Sequence, residues 1–259
     1  MKRKINLEQF FTTEINAKFC LSKLDLFKYE RIIEPSAGSG SFSNLIENCI
    51  AYDIEPRNKN IIKQDFLQLD ISKTKGKTLI VGNPPFGRQS SLAIKFINKS
   101  ATFADTIAFI LPNSFKKESL LNRLNKHLFL KEVYDLPENI FFFENETFTI
   151  PCSFFVYEVR EEERTKKELP IITDFSFVNK EEADCSIRRV GFYAGKIEGL
   201  NVSTSSHYFV KWNNEKAKEN YSKLKFNLDN TVGAKSLSKT EIIRKYYETF
   251  YNRTEGENS

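Results

Sequence analysis

Short apolar runs alternate with amphipathic segments along the first two thirds of the chain. The runs at 31–33, 77–82 and 106–112 are rich in β-branched residues and predict buried strands. The segment at 91–100 has helical periodicity instead. Strands that alternate with helices predict an α/β fold, a doubly wound and mostly parallel sheet covered by helices on both faces. Ligands of such sheets bind beyond the carboxyl ends of the strands.

The remaining segments extend this pattern and then change it. Further strands are predicted at 51–54, 61–62, 130–134, 153–159 and 170–178, and further helices at 14–26, after Gly40 as far as Cys49, at 115–128, 215–224 and 238–251. Thr13 is a predicted N-cap, and Ser238 with Glu241 forms a predicted capping box. A charged run at 160–168 predicts a boundary between a domain over 1–160 and a small α+β extension over 161–259.

Composition limits the class of protein. The chain has 259 residues, of which 40% are hydrophobic, so it has enough apolar residues for one sizeable core with or without a small appendage. The net charge of +5 is compatible with a polyanionic partner and does not require one. No apolar run is long enough to span a membrane, and no apolar segment follows the charged start, which predicts a cytoplasmic protein without membrane contact.

The four cysteines do not predict a metal site. They are scattered at positions 20, 49, 152 and 185, and only two histidines accompany them. No pair has the spacing of a zinc ligand set, so we expect neither a metal nor a disulfide framework.

A glycine-rich turn follows the strand at 31–33. Gly38 and Gly40 allow the backbone to approach a ligand closely, and the helix predicted beyond them offers free N–H groups to a carboxylate. Asp53 ends the next strand, where it suits two ribose hydroxyls. Asp65 suits an adenine amino group, and Phe66 suits the ring face. Each of these three features alone is at least as often an ordinary tight turn or a loop acid, but the three follow one another in the order that a cofactor site requires.

The sequence Asn83-Pro84-Pro85-Phe86 ends the strand at 77–82. Proline fixes φ and lacks an N–H, so the carbonyl groups can be held pointing into a pocket. The Asn83 side-chain oxygen and the Pro84 carbonyl can accept both N–H hydrogens of a planar amine, and Phe86 can stack on its ring. In isolation the four residues would more often be a plain turn.

Together these motifs resemble the S-adenosylmethionine-dependent N6-adenine methyltransferases in which the glycine motif comes first. The match covers about residues 7 to 160 and includes an N-terminal motif at 10–13. It implies a class I, Rossmann-like methyltransferase with a seven-stranded sheet and S-adenosyl-L-methionine as cofactor. The resemblance assigns catalysis to Asn83, Pro84, Pro85 and Phe86, and cofactor binding to Phe11, Thr12, Thr13, Glu34, Pro35, Ser36, Gly38, Gly40, Asp53, Ile54, Asp65, Phe66 and Asn83.

The resemblance implies direct methyl transfer, with no metal and no covalent enzyme intermediate. The first hypothesis is site-specific methylation of adenine in DNA, with the extension at 161–259 as a target-recognition element. Basic residues interleaved with aromatics support it, and they give Arg188, Arg189, His207 and Lys211 as candidate nucleic-acid contacts. A solvated edge hairpin with buried aromatics explains the same mixture equally well.

Three alternatives remain open at this point. The substrate can be adenine in a ribosomal or transfer RNA loop, where the base is already unstacked. It can be a protein glutamine, although enzymes of that kind usually have tyrosine at the position of Phe86. The chain can also be a silent cofactor-binding or nucleic-acid-binding subunit. Because the extension is small, a partner subunit can supply target specificity.

Overall fold

The predicted strands of the first two thirds meet in one sheet. A computed structural model describes residues 11–137, 140–143, 146–165, 168–226 and 236–252. The chain divides into two compact units, residues 1–165 and residues 166–259. The first unit contains strands β1 (Phe11–Thr12), β2 (Arg31–Glu34), β3 (Ile50–Asp53), β4 (Ile62–Lys63), β5 (Thr78–Gly82), β6 (Thr106–Pro112), β7 (Leu128–Asp135), β8 (Ile140–Phe143), β9 (Glu146–Thr149) and β10 (Cys152–Val159), and helices α1 (Glu14–Leu21), α2 (Ser91–Ser100) and α3 (Glu118–Leu121).

The main sheet of this unit has seven strands in the order β4-β3-β2-β5-β6-β10-β7. Strand β10 is antiparallel to both of its neighbours, and the pairs on the other side of β6 are parallel. The order reverses between β2 and β5, so the switch point lies at the carboxyl ends of these two strands. This topology confirms the predicted α/β fold of class I methyltransferases.

The central strands are buried on both faces. Every residue of β5 and of β6 is buried, as expected for parallel strands that helices cover on each side. Helix α2 packs its apolar side against this core through Ala93, Phe96 and Ile97. The continuous apolar runs in the sequence therefore mark the strands that position the site.

Two predicted helices are wrong. After Gly40 the chain forms one 3₁₀ turn over Ser43–Leu45, and Asn48 then has a left-handed φ of 57° before β3 begins. The segment predicted as a helix at 115–128 contains a 3₁₀ turn over Asn113–Lys116, the short α3, and the start of β7. Side chains intervene in the backbone bonding there, since the Asn125 side chain accepts the His127 N–H at 2.9 Å.

The second unit packs one sheet against two helices. It contains β11 (Phe175–Phe177), β12 (Cys185–Arg188), β13 (Ile197–Glu198), β14 (His207–Trp212), α4 (Glu215–Ser222) and α5 (Lys239–Phe250). The strands are antiparallel in the order β11-β14-β12-β13. Phe175 lies at the centre of the core, with the rings of Trp212, Tyr221 and Tyr246 around it. The predicted capping box of Ser238 and Glu241 is confirmed.

Two further findings concern the described residues as a whole. None of their helices combines the length and the apolar character that crossing a bilayer requires. They also bring together no cluster of His, Cys, Asp and Glu side chains suited to a metal ion.

Candidate active site

Glu34 ends β2 and organises the turn that follows it. Glu34 is 2% exposed, and its carboxylate accepts the N–H of Ser43 at 2.7 Å and that of Phe42 at 3.4 Å. Burial raises the pKa of Glu34 to about 7, and the nearby Asp53 charge contributes in the same direction. The sequence predicted that N–H groups after Gly40 begin a helix and bind a ligand. In the structure the N–H groups of Phe42 and Ser43 bind the Glu34 side chain instead.

Gly38 adopts a backbone conformation that favours glycine. Its φ is +55°, and its N–H donates to Asp53 Oδ2 at 2.7 Å. A Cβ atom at this position would lie 2.8 Å from Cε1 of Phe11. Gly40 also has a positive φ, +91°, and a Cβ atom there would meet the side chain of Asn44. The turn therefore brings backbone, aromatic ring and carboxylate into close contact.

We expect Gly38→Ala to weaken S-adenosylmethionine binding by about tenfold, because alanine pays about 1–2 kcal/mol for a left-handed conformation and displaces the Phe11 ring. Isothermal titration calorimetry measures this effect. Gly199→Ala is the matched control, since a Cβ atom at Gly199 would meet no heavy atom within 4 Å. Equal affinity of the two variants would contradict the role of this turn.

Asp53 ends β3, and Asp65 follows β4. Asp53 Oδ1 accepts the Glu55 N–H at 2.7 Å, so both carboxylate oxygens of Asp53 also shape the local backbone. Asp65 accepts the Leu67 N–H at 2.9 Å and caps a 3₁₀ turn. Both side chains nevertheless line the same cavity. A carboxylate has about four acceptor positions, so these bonds leave capacity for a ligand.

Apolar rings close one side of this cavity. Phe66 is 1% exposed and stacks on Phe96 with ring centroids 5.5 Å apart. Leu92 and Phe96 lie one turn apart on α2 and face the same space. The helical periodicity of this segment was visible in the sequence, although its role in the site was not predicted.

The N-terminal motif closes the other side. The Phe11 ring lies under the Arg57 guanidinium at 4.5 Å, and the Thr12 carbonyl accepts the Ser41 hydroxyl at 3.1 Å. Thr13 instead caps α1 by accepting the Asn16 N–H. Its side chain does not line the cavity, while Phe11 and Thr12 do. Phe10, which belongs to the same predicted motif, lies outside the described residues.

Asn83 comes directly after β5, at the switch point of the sheet. Its backbone carbonyl accepts the Ser36 hydroxyl at 3.3 Å, which ties the motif to the turn after β2. Asn83 and Pro85 line the cavity. The residue predicted to bind the target amine therefore shares one cavity with the residues predicted to bind the cofactor.

Phe86 lies elsewhere than the sequence indicated. It is 8% exposed, belongs to the hydrophobic core and is not part of the cavity wall. Gly87 has a φ of +70°, and the N–H groups of Leu92 and Ala93 donate to the Phe86 carbonyl at 3.1 and 3.2 Å. These contacts turn the chain into α2 and bury the ring. The structure thus does not present Phe86 as a stacking surface.

The cavity has a volume of about 480 Å³, within the usual range for small-molecule sites. Of the predicted site residues, it brings together Phe11, Thr12, Glu34, Pro35, Ser36, Gly38, Asp53, Ile54, Asp65, Phe66, Asn83 and Pro85, and it leaves out Thr13, Gly40, Pro84 and Phe86. Arg88 was not predicted as a site residue, but it is exposed on the wall, and its side chain makes no hydrogen bond or ion pair with the described residues. Its position directly after the Asn-Pro-Pro-Phe motif was the available signal.

The candidate nucleic-acid contacts of the second unit have different surroundings. Arg188 Nε donates to Glu198 Oε1 at 2.8 Å, and His207 Nε2 lies 3.1 Å from Glu198 Oε2. His207 is 5% exposed. Arg189 packs its guanidinium over the Tyr208 ring at 5.2 Å, and Lys211 is exposed on β14. Glu198 therefore engages two of the four predicted contacts within the fold.

Three solved structures resemble part of this chain. The candidate RNA methyltransferase PH1948 from Pyrococcus horikoshii aligns over 61% of this chain and 90% of its own, with 15% identity and a TM-score of 0.46. The 23S rRNA methyltransferase ErmE aligns over 61% of this chain and 73% of its own, with 14% identity and a TM-score of 0.39. The M. jannaschii tRNA m1G37 methyltransferase aligns over 59% of this chain and 49% of its own, with 18% identity and a TM-score of 0.38. No curated protein matches the sequence.

The family model of the EDM2 methyltransferase-like domain matches residues 29–166, which is more than half of the chain. The matched range carries the glycine turn, Asp53, Asp65 and Asn83. S-adenosylmethionine is the methyl donor of this fold. The cavity suits it, because its wall combines carboxylates at strand ends, a glycine turn that a ligand can approach closely, and apolar rings. The chain therefore belongs to the EDM2 methyltransferase-like family of S-adenosylmethionine-dependent methyltransferases.

Proposed function

We propose that this methyltransferase acts on the exocyclic N6 amine of adenine in nucleic acid. The observation that carries the proposal is the position of Asn83, which lines the same cavity as Glu34, Asp53 and Asp65. Residues suited to the donor and a residue suited to the target amine share one site at the switch point of the sheet. The first unit carries out the transfer, and the second contacts the target.

The protein contributes to this reaction by positioning the reactants and by stabilising charge. S-adenosylmethionine supplies a methyl group on a sulfonium, which is already a good leaving group. The Asn83 carboxamide oxygen accepts one N–H of the amine and favours its pyramidal, nucleophilic state. The new N–C bond forms as the S–C bond breaks, and the surplus proton leaves the nitrogen for water afterwards. No strong base is needed, so orientation provides much of the rate.

Two observations favour an adenine that is already unpaired. Flipping a base out of a duplex costs a few kcal/mol, and stacking on a ring usually offsets part of that cost. Phe86 lies in the core and does not offer that ring. Of the residues that supported a DNA duplex, Arg188 and His207 contact Glu198. We therefore propose an adenine in an RNA loop as the substrate, with site-specific methylation of DNA as the second candidate.

Transfer of label from tritiated S-adenosylmethionine tests this choice. We expect N6-methyladenosine to appear in total RNA after nucleoside digestion, and little label to appear in unmethylated genomic DNA. Label in DNA alone would select the second candidate. Label in protein alone would contradict the proposal and favour a glutamine substrate, and no label in any of the three would leave only a cofactor-binding role.

A further inference from the structure

The turn between β12 and β13, residues 189–196, exposes two aromatic side chains. Phe192 is 77% exposed and Tyr193 is 59% exposed. Their ring centroids are 5.3 Å apart and the ring planes meet at 89°. Most aromatic rings of this unit belong instead to the hydrophobic core that contains Phe175. Two large exposed rings side by side indicate an interaction surface.

Backbone hydrogen bonds fix the shape of this turn. The Gly195 N–H donates to the Arg188 carbonyl at 2.7 Å, and the Lys196 N–H donates to the Tyr193 carbonyl at 3.0 Å. Gly191 has a φ of +90°, which glycine adopts without strain. The two rings are therefore displayed by an ordered turn, so little conformational entropy is lost when a ligand binds them.

Two cations of the turn have no acidic partner among the residues that the structure describes. Lys196 Nζ lies 5.5 Å from the centroid of Tyr193, and the Arg189 guanidinium lies 5.2 Å from that of Tyr208. Neither side chain forms an ion pair with any residue that the structure describes. Arg188 differs, because Glu198 neutralises it. The turn thus combines exposed rings with unneutralised positive charge.

We propose that residues 189–196 bind unpaired stretches of nucleic acid, with Phe192 and Tyr193 stacking on bases and Lys196 and Arg189 contacting phosphates. The inference rests on the proposed function, because it assumes a nucleic-acid substrate and specifies which residues of the second unit bind it. Base stacking on aromatic rings tolerates any base, so it requires no particular sequence. Tyr193 and Lys196 also line a recess of about 430 Å³, which gives a base room beside the ring.

The charge of the turn favours nucleic acid over a protein partner. An apolar protein surface would bury the rings but would also remove water from Lys196 and Arg189 without neutralising them, which is costly. Phosphates neutralise both cations while the bases cover both rings. A single ligand class therefore accounts for all four side chains.

The double variant Phe192→Ala and Tyr193→Ala tests the proposal in the full-length chain. We expect its affinity for a fluorescently labelled, single-stranded RNA of random sequence to fall by about tenfold, equivalent to about 1.4 kcal/mol, in a fluorescence anisotropy titration. Phe27→Ala is the matched control, because Phe27 is a fully exposed phenylalanine in the first unit. It should bind RNA like the wild type.

Lys196→Gln tests the electrostatic part separately. We expect the slope of log K against log salt to become shallower by about 0.7, the value for one phosphate contact on a single strand. An unchanged slope would remove Lys196 from the contact surface. Far-UV circular dichroism of all variants checks that the fold is intact.

The outcomes separate this inference from the proposed function. If the wild type methylates RNA and the double variant binds that RNA with unchanged affinity, the turn is not the contact and the inference fails alone. If analytical ultracentrifugation shows that the wild type dimerises and the double variant does not, while RNA affinity is the same for both, the rings form a protein interface and the inference also fails. If the wild type neither binds nor methylates nucleic acid, the proposed function fails first.

Discussion

Asn83→Ala is expected to lower kcat for methyl transfer by about 10²–10³-fold, the usual effect of removing one preorganised polar group that acts on the transition state. The structure gives the reason, since Asn83 directly follows β5 at the switch point and lines the cavity. Alanine cannot accept the N–H of the target amine, so the nitrogen lone pair stays conjugated with the ring. Single-turnover kinetics with radiolabelled cofactor measures the chemical step directly.

The control for this experiment is another asparagine of the same unit. Asn122 lies just after α3 and outside the cavity, so Asn122→Ala should transfer methyl groups like the wild type. Cofactor affinity of Asn83→Ala should change much less than kcat, because most of the residues predicted to bind the cofactor, among them Gly38, Asp53 and Asp65, are unchanged in this variant. A variant with wild-type kcat would remove Asn83 from the chemistry, whatever the substrate is.

Glu34→Gln should remove a pH dependence from the stability of the first unit. Glu34 ionises near its ordinary pKa of 4.5 in the unfolded chain and near a pKa of about 7 in the folded protein. Between these pH values the folded state binds more protons, so the free energy of unfolding falls as pH rises, by about 3 kcal/mol in total. The contribution is complete below pH 4.5 and is lost above pH 7.

Urea unfolding at a series of pH values measures this effect. The difference in unfolding free energy between wild type and Glu34→Gln should change across the interval from pH 4.5 to 7 and be constant on either side. Glu47→Gln is the matched control, because Glu47 is an exposed carboxylate on the same connection between β2 and β3. A Glu34→Gln curve parallel to that of the wild type would show that Glu34 ionises normally.

The sequence predicted the parts of the site that depend on local chain chemistry. Strand ends, a glycine turn and a double proline leave signatures within a few residues, and Glu34, Asp53, Asp65 and Asn83 all line the cavity as expected. Parallel strands leave a signature too, because burial on both faces removes polar residues from them. The sheet and one half of the site could therefore be predicted from local patterns alone.

Contacts between distant residues account for what the sequence did not predict. The helix after Gly40 does not form, since Glu34 takes the N–H groups of Phe42 and Ser43. The Phe86 ring turns into the core because the chain bends at Gly87. Arg188 and His207 meet Glu198, and nothing in the local pattern of either residue indicates that partner. An aromatic or basic residue in a sequence motif that predicts ligand binding can thus pack in the core or pair with an acidic residue instead of contacting the ligand.

Strand β10 has a consequence for how the first unit is made. It lies between β6 and β7 although it follows both in the chain, and it pairs with each along most of its length. Until residue 159 has left the ribosome, β6 and β7 are unjoined edges that can pair with other chains. A nascent chain is therefore most prone to aggregation just before this strand is synthesised, and truncation upstream of Cys152 would abolish folding of the unit rather than shorten it.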